Sequence, residues 1–123
     1  MNIEELLRAV ASLDQAVVLR QVATAICAGA APRAIAESLI AGLREVFLIQ
    51  MGATSLVTSA GFAGREEFAA AFGRKRTVAA MEAVGDSLVS IRDCWDHRVS
   101  LEVALCRFCV TQRSAAKDPA EVA

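Results

Sequence analysis

The chain has 123 residues, a length suited to one domain, with 55% apolar side chains and a net charge of −1. This excludes an intrinsically disordered chain, which is poor in apolar residues and highly charged, and it excludes an overall basic field of the kind that neutralises nucleic-acid phosphates. Alanine, the best helix former, outnumbers proline, the worst, by 25 to 2, so composition alone points to an all-α domain.

Among the cations only Lys75 and Lys117 are lysines; the rest are arginines, which suit bidentate pairing at protein interfaces. The opening Met1-Asn2-Ile3-Glu4-Glu5 is acidic where a signal peptide needs positive charge. The most apolar stretch, 38–51, is interrupted by Arg44 and Glu45 and is too short to span a bilayer. A cytoplasmic location without membrane contact is the expectation. Cys27, Cys94, Cys106 and Cys109 sit in apolar contexts, which favours buried thiols over a disulfide framework.

In chain order, Ile3, Leu6, Leu7 and Val10 form the stripe of a short amphipathic helix over 2–11. Asn2 with Glu5 resembles a capping box. Ser12 and Asp14 break and restart the chain, with Asp14 as N-cap of a second helix that runs to about Ala28 and stops at Gly29. Val18, Val22 and Ile26 share its inner face. Pro32 fits the first turn of a third helix, the longest, whose stripe is Ile35, Leu39, Leu43, Val46 and Phe47 and whose end is Gly52.

Residues 53–64 are small and polar and read as an irregular connection with one short turn. A short helix over 65–72 ends at Gly73. A fifth helix follows from Arg74 to Cys94 on a stripe of Val78, Met81, Val84, Leu88 and Ile91. Gly85 in its middle costs up to about 1 kcal/mol relative to alanine and is read as a mark of close packing.

The last helix spans about 97–112. One stripe is Leu101, Ala104, Leu105, Phe108 and Cys109, and a second is Val99, Val103, Cys106 and Val110. A helix apolar nearly all round is buried, either by the other helices or by a partner subunit along one side. Residues 114–123 have no stripe and read as a frayed end or the start of a linker. Short connections favour a compact antiparallel bundle of five to six helices with the last helix buried, over residues 1–112.

The glycines form no phosphate-cradling loop, no dinucleotide fingerprint and no nucleophile elbow. Cys94-x-x-His97 followed by Cys106-x-x-Cys109 imitates a zinc site, but the second pair lies inside an apolar helix rather than at a turn with free amides, so buried thiols are preferred. A Cys94–His97 nucleophile pair is set against helix capping by Asp93, Cys94, Asp96 and His97 at a helix–helix junction, and capping is preferred. No catalytic residue, metal ligand or cofactor is therefore expected. Arg74-Lys75-Arg76 reads as a solvated helix start rather than a nucleic-acid contact. Arg98 and Glu102 are able to pair at i, i+4, and together with Arg107 they either set register across a subunit contact or face water.

Two stretches resemble a known family. Residues 31–53, with Pro32-Arg33 at the start and Leu43-Arg44-Glu45-Val46-Phe47-Leu48-Ile49 near the end, resemble the long helix of the third domain of the bacterial DNA polymerase III gamma/tau subunit. The run from His97 to Cys109 resembles that family's closing helix, with Arg98, Leu101, Glu102, Ala104, Leu105 and Arg107 matching as they stand. Residues 3–29 and 77–92 suit its other helices, whereas 53–73 match nothing in it, and Cys106 and Cys109 replace common aliphatic residues.

The resemblance implies an all-helical collar that holds clamp-loader subunits in a ring without catalysis. It implies gamma/tau copies, delta and delta-prime as partners, a homo- or hetero-oligomer, a nucleoid-associated location and no direct nucleic-acid contact. Arg98, Leu101, Glu102, Leu105 and Arg107 become the candidate subunit-contact residues. Two other readings stand beside it: a homo-oligomeric helical adaptor unrelated to replication, and a helical zinc domain using Cys94, His97, Cys106 and Cys109.

Overall fold

The computed structural model describes residues 2–57, 64–90 and 96–117. They form six α-helices and one 3-10 turn, with no strand among them, packed as a compact bundle. The helices are α1 (Ile3–Ala11), α2 (Gln15–Cys27), α3 (Pro32–Gln50), α4 (Arg65–Phe72), α5 (Arg74–Ser90) and α6 (His97–Lys117); the 3-10 turn is Thr54–Leu56.

The first three helices begin and end as the sequence dictates. Asn2 accepts a hydrogen bond from the Glu5 amide at 3.3 Å, and Asp14 accepts from the Ala16 and Val17 amides at 3.0 and 3.4 Å. Each carboxyl or amide oxygen thereby satisfies amides that a helix start leaves without partners. Pro32 opens α3 in the first turn. Helices α2 and α3 close in the same way, with Gly29 at φ +102° and Gly52 at φ +78°. In α3 the Gly52 amide donates to the Ile49 carbonyl and the Ala53 amide to the Leu48 carbonyl, the paired bonds of a Schellman motif.

Between α1 and α2, Leu13 adopts φ +58°, which a branched side chain enters at a cost of about 1–2 kcal/mol. Its side chain is buried, and interment of a leucine is worth about 1.5–3 kcal/mol, so burial offsets the backbone strain.

Helix α3 is the centre of the bundle and touches every other helix. Its buried residues are Ile35, Ala36, Leu39, Leu43 and Val46, the expected stripe with Ala36 added and Phe47 only half-buried. Against it lie Leu6, Leu7 and Val10 of α1 and Val18 and Val22 of α2. The Gln50 side-chain amide donates to the Ala69 carbonyl at 2.9 Å and ties α3 to α4. Phe72 of α4 stacks on Phe68 (ring centroids 5.3 Å apart) and reaches Phe108 of α6 (6.1 Å), so α4 is pinned to the bundle by rings.

Helix α5 departs from expectation. Val78 is exposed, and Met81 and Leu88 are only half-buried; the inward line is Thr77, Ala80, Val84 and Ser87. The two hydroxyls donate to nearby carbonyls, Thr77 to Gly73 just before the helix at 2.9 Å and Ser87 to Val84 within it at 2.7 Å. Satisfied internally, they pack as small side chains between α3 and α6. Gly85 is not a close-packing site, because a Cβ there would meet nothing within 4 Å. The close approach is instead at Gly42 of α3, where a Cβ would stand 3.0 Å from Leu7 Cδ1. Ile91, and with it the expected continuation of α5 to Cys94, lies outside the described residues, as does half of the irregular connection, including Thr58, Ser59 and Gly61.

Helix α6 runs past Gln112 to Lys117, so its last turns occupy sequence expected to fray. Leu101, Leu105, Phe108 and Cys109 are buried against the bundle. Within a single chain the second stripe is open: Val99, Val103 and Val110 are 43%, 42% and 48% exposed. Of the two ways to bury this helix, the other helices therefore supply only one side. Cys27 is exposed at the end of α2, against the expectation of a buried thiol, because the final turn of α2 carries it away from the Val18–Val22 face.

Candidate functional site

Helix α6 starts at Asp96, whose carboxylate accepts from the Arg98 and Val99 amides at 3.0 and 3.2 Å. The junction thus uses an acidic cap, as its sequence suggested, while Asp93 and Cys94 lie outside the described residues. From this start the helix turns its two apolar stripes nearly opposite ways. Val99, Val103, Cys106 and Val110 recur at spacings of four, three and four, the a/d pattern of a coiled-coil seam.

This outward stripe forms a groove of about 570 Å³ with Leu19 of α2. Glu102 and Arg107 also line it, and helical spacing sets them about 70° to either side of the stripe's centre. Arg98 donates to Glu102 at 3.4 Å, one turn away on the same side. Arg107 makes no ion pair among the described residues and also borders a smaller hollow next to Ala83 and Asp86 of α5. The site is thus a mainly apolar strip with an acidic and a basic flank.

The other sequence-derived candidates fall elsewhere. Leu101 and Leu105 are 0% and 1% exposed and belong to this chain's own core, so they are not available to a neighbour. Arg98, Glu102 and Arg107 do reach the surface. His97 is exposed in the first turn of α6. Cys106 and Cys109 share a helix but not an environment: Cys109 is in the core and Cys106 borders the groove. Burial pushes the Cys109 thiol up to about 11, helped by the nearby Cys106 and Asp14 and opposed by Arg113. Burial, and then Glu102, raise Cys106 as well. Among the described residues no group of three or more His, Cys, Asp or Glu side chains gathers into a metal-binding cluster. Arg74 and Lys75 are exposed and Arg76 half-buried at the start of α5, the position of a solvated helix start.

No family model, no curated protein and no solved structure matches this chain. Among the described residues no helix is long and apolar enough to cross a membrane.

Leu19, like Thr111, is a groove residue that sequence reasoning missed. It stands one position off the Val18–Val22 face and is half-buried, so periodicity assigns it to neither side. The outward valines were legible as a stripe, and their three–four spacing is that of a coiled-coil seam.

Proposed function

We propose that this chain is a non-catalytic assembly module, and that it acts as a collar domain of the bacterial clamp-loader gamma/tau type. The observation that carries the reading is the outward stripe of α6. Val99, Val103 and Val110 stay open on a helix whose opposite face is already fully used by the core. Three exposed valines in register on one helix, rimmed by charge, have the composition of a protein contact rather than of a solvated surface. The similarity of residues 31–53 and 97–109 to the collar helices gives this surface its specific partners: copies of gamma/tau, delta and delta-prime. Its role there is to hold ATPase-bearing subunits in a ring within the cytoplasm, without a cofactor.

The test is to mix the purified chain with clamp-loader delta and delta-prime subunits and follow the mixture by size-exclusion chromatography with light scattering. A stable mixed assembly that Val103→Asp abolishes is the expected result. No association at micromolar concentration removes the clamp-loader assignment.

A further inference from the structure

We propose that a second copy of this chain docks on the α6 groove, with the two α6 helices parallel and Glu102 of each facing Arg107 of the other. This rests on the reading of the same surface as an assembly face; a two-fold pair closes on itself, so it is a state of the free chain that ring assembly displaces.

Register and charge select both the occupant and the direction. With Val99 and Cys106 at d and Val103 and Val110 at a, Glu102 falls at g and Arg107 at the e position of the next heptad. In a parallel pair, g of one helix meets e of the following heptad on its partner. The five-residue separation of Glu102 and Arg107 is that spacing, and two-fold symmetry makes the contact twice. In an antiparallel pair g meets g and e meets e, so Glu102 would face Glu102 and Arg107 would face Arg107. The chain is therefore self-complementary in one direction and self-repelling in the other.

The surroundings agree. Arg107 is exposed and has no ion-pair partner among the described residues. Arg98 bonds Glu102 on its own helix and holds the carboxylate in place at the flank. Leu19 continues the apolar strip onto α2, which widens a seam of only four a/d residues. Such a short seam gives a dimer that exchanges with monomer and that either sibling copies or related helices are able to cap. Cys106, at d, stands at the centre of the seam, where a parallel pair brings it opposite Cys106 of the second copy.

The experiment measures self-association of the full chain by sedimentation equilibrium, together with Glu102→Arg, Arg107→Glu, the double exchange, and a mixture of the two single variants. Circular dichroism confirms that each is folded. The wild type is expected to dimerise reversibly. Each single reversal is expected to raise the dissociation constant about tenfold or more, because each acts twice. The double exchange and the one-to-one mixture are expected to restore the dimer.

Direction is read in a Cys27→Ser/Cys94→Ser background with a short bismaleimide, which is expected to join two chains through Cys106. A wild type that stays monomeric at its highest soluble concentration overturns the proposal. So does a dimer indifferent to the single reversals, or one in which Cys106 does not cross-link. A monomer that still enters the mixed assembly with delta and delta-prime defeats this inference alone. A charge-sensitive dimer that ignores those subunits sustains the inference and defeats the clamp-loader assignment.

Discussion

A Cβ placed on Gly42 of α3 would stand 3.0 Å from Cδ1 of Leu7 in α1, and Leu7 is fully buried. The missing side chain lets the first and central helices approach each other. Gly42→Ala gains up to about 1 kcal/mol of helix propensity but forces the buried Leu7 side chain to give way, and such overpacking costs about 1–3 kcal/mol. The expected net effect is a loss of about 1 kcal/mol by urea unfolding. Pairing it with Leu7→Val should recover part of the loss. A more stable Gly42→Ala chain would mean that α1 is free to shift.

Gly85 of α5 is the contrasting case. A Cβ there meets nothing within 4 Å, and the position is interior to a helix. Gly85→Ala should stabilise the fold by about 0.5–1 kcal/mol, read as a higher melting temperature. An unchanged or lower value would place an undetected neighbour against α5.

Two residues two positions apart on α6 should separate folding from the proposed assembly. Leu105 is 1% exposed and Val103 is 42% exposed. An aspartate at Leu105 would be a buried unpaired charge, which costs several kcal/mol, so Leu105→Asp should fail to fold or assemble. Val103→Asp should keep its helical circular dichroism and its unfolding midpoint while losing association. If both variants melt alike, the outward face of α6 is wrongly assigned.

These contrasts show what the sequence encodes and where periodicity stops. The helices, their caps at Asn2 and Asp14, the opening Pro32 and the stops at Gly29 and Gly52 follow from local chemistry, because the two caps accept amides of their own helix ends and Pro32 has no amide to satisfy. The core stripes of α1 to α3 follow from aliphatic spacing alone. In α5 the same rule placed Val84 in the core and Met81 and Leu88 at its edge, but it missed the rest of the inward line. It weighted Val78 and Met81 over Thr77 and Ser87, whose hydroxyls are silently satisfied by their own backbone. In α6 two apolar stripes were legible, but spacing does not say which one the bundle uses. The resemblance put Leu101 and Leu105 among the candidate contact residues, and burial assigns them to the chain's own core. Gly42 and Leu19 depend on the separation and angle of two helices, which no local pattern carries.

Asp14 tests how much of the α1–α2 corner rests on a single cap. Its carboxylate receives two amides of α2, and the residue before it, Leu13, is held at positive φ. Asp14→Ala should cost about 1 kcal/mol, whereas Asp14→Ser should retain most of the stability because its hydroxyl is able to accept the same bonds. Equal losses in both would assign the effect to charge rather than to capping.

Asp14 is also one of the groups that raise the Cys109 thiol, and the raised thiol gives the fold an alkaline limit. Burial is the larger cause and Cys106 the next. The thiol ionises at about 11 in the folded chain, against 9.0 ordinarily. Above pH 9 the unfolded chain therefore releases a proton that the folded chain keeps, and stability falls as pH rises, because the folded state then binds more protons. The contribution is intact below 9 and is gone above about 11, a loss of at most about 3 kcal/mol at 1.36 kcal/mol per unit of pKa. Urea unfolding of the wild type and Cys109→Val from pH 8 to pH 11 isolates it, since every other titrating group is common to both. The wild-type curve should fall away from the valine variant across that window. Exposed Cys27 should meanwhile react with a maleimide at pH 8 long before Cys109 does. Parallel stability curves would mean that the unfolded and folded thiols ionise alike, and that α6 is not packed around Cys109.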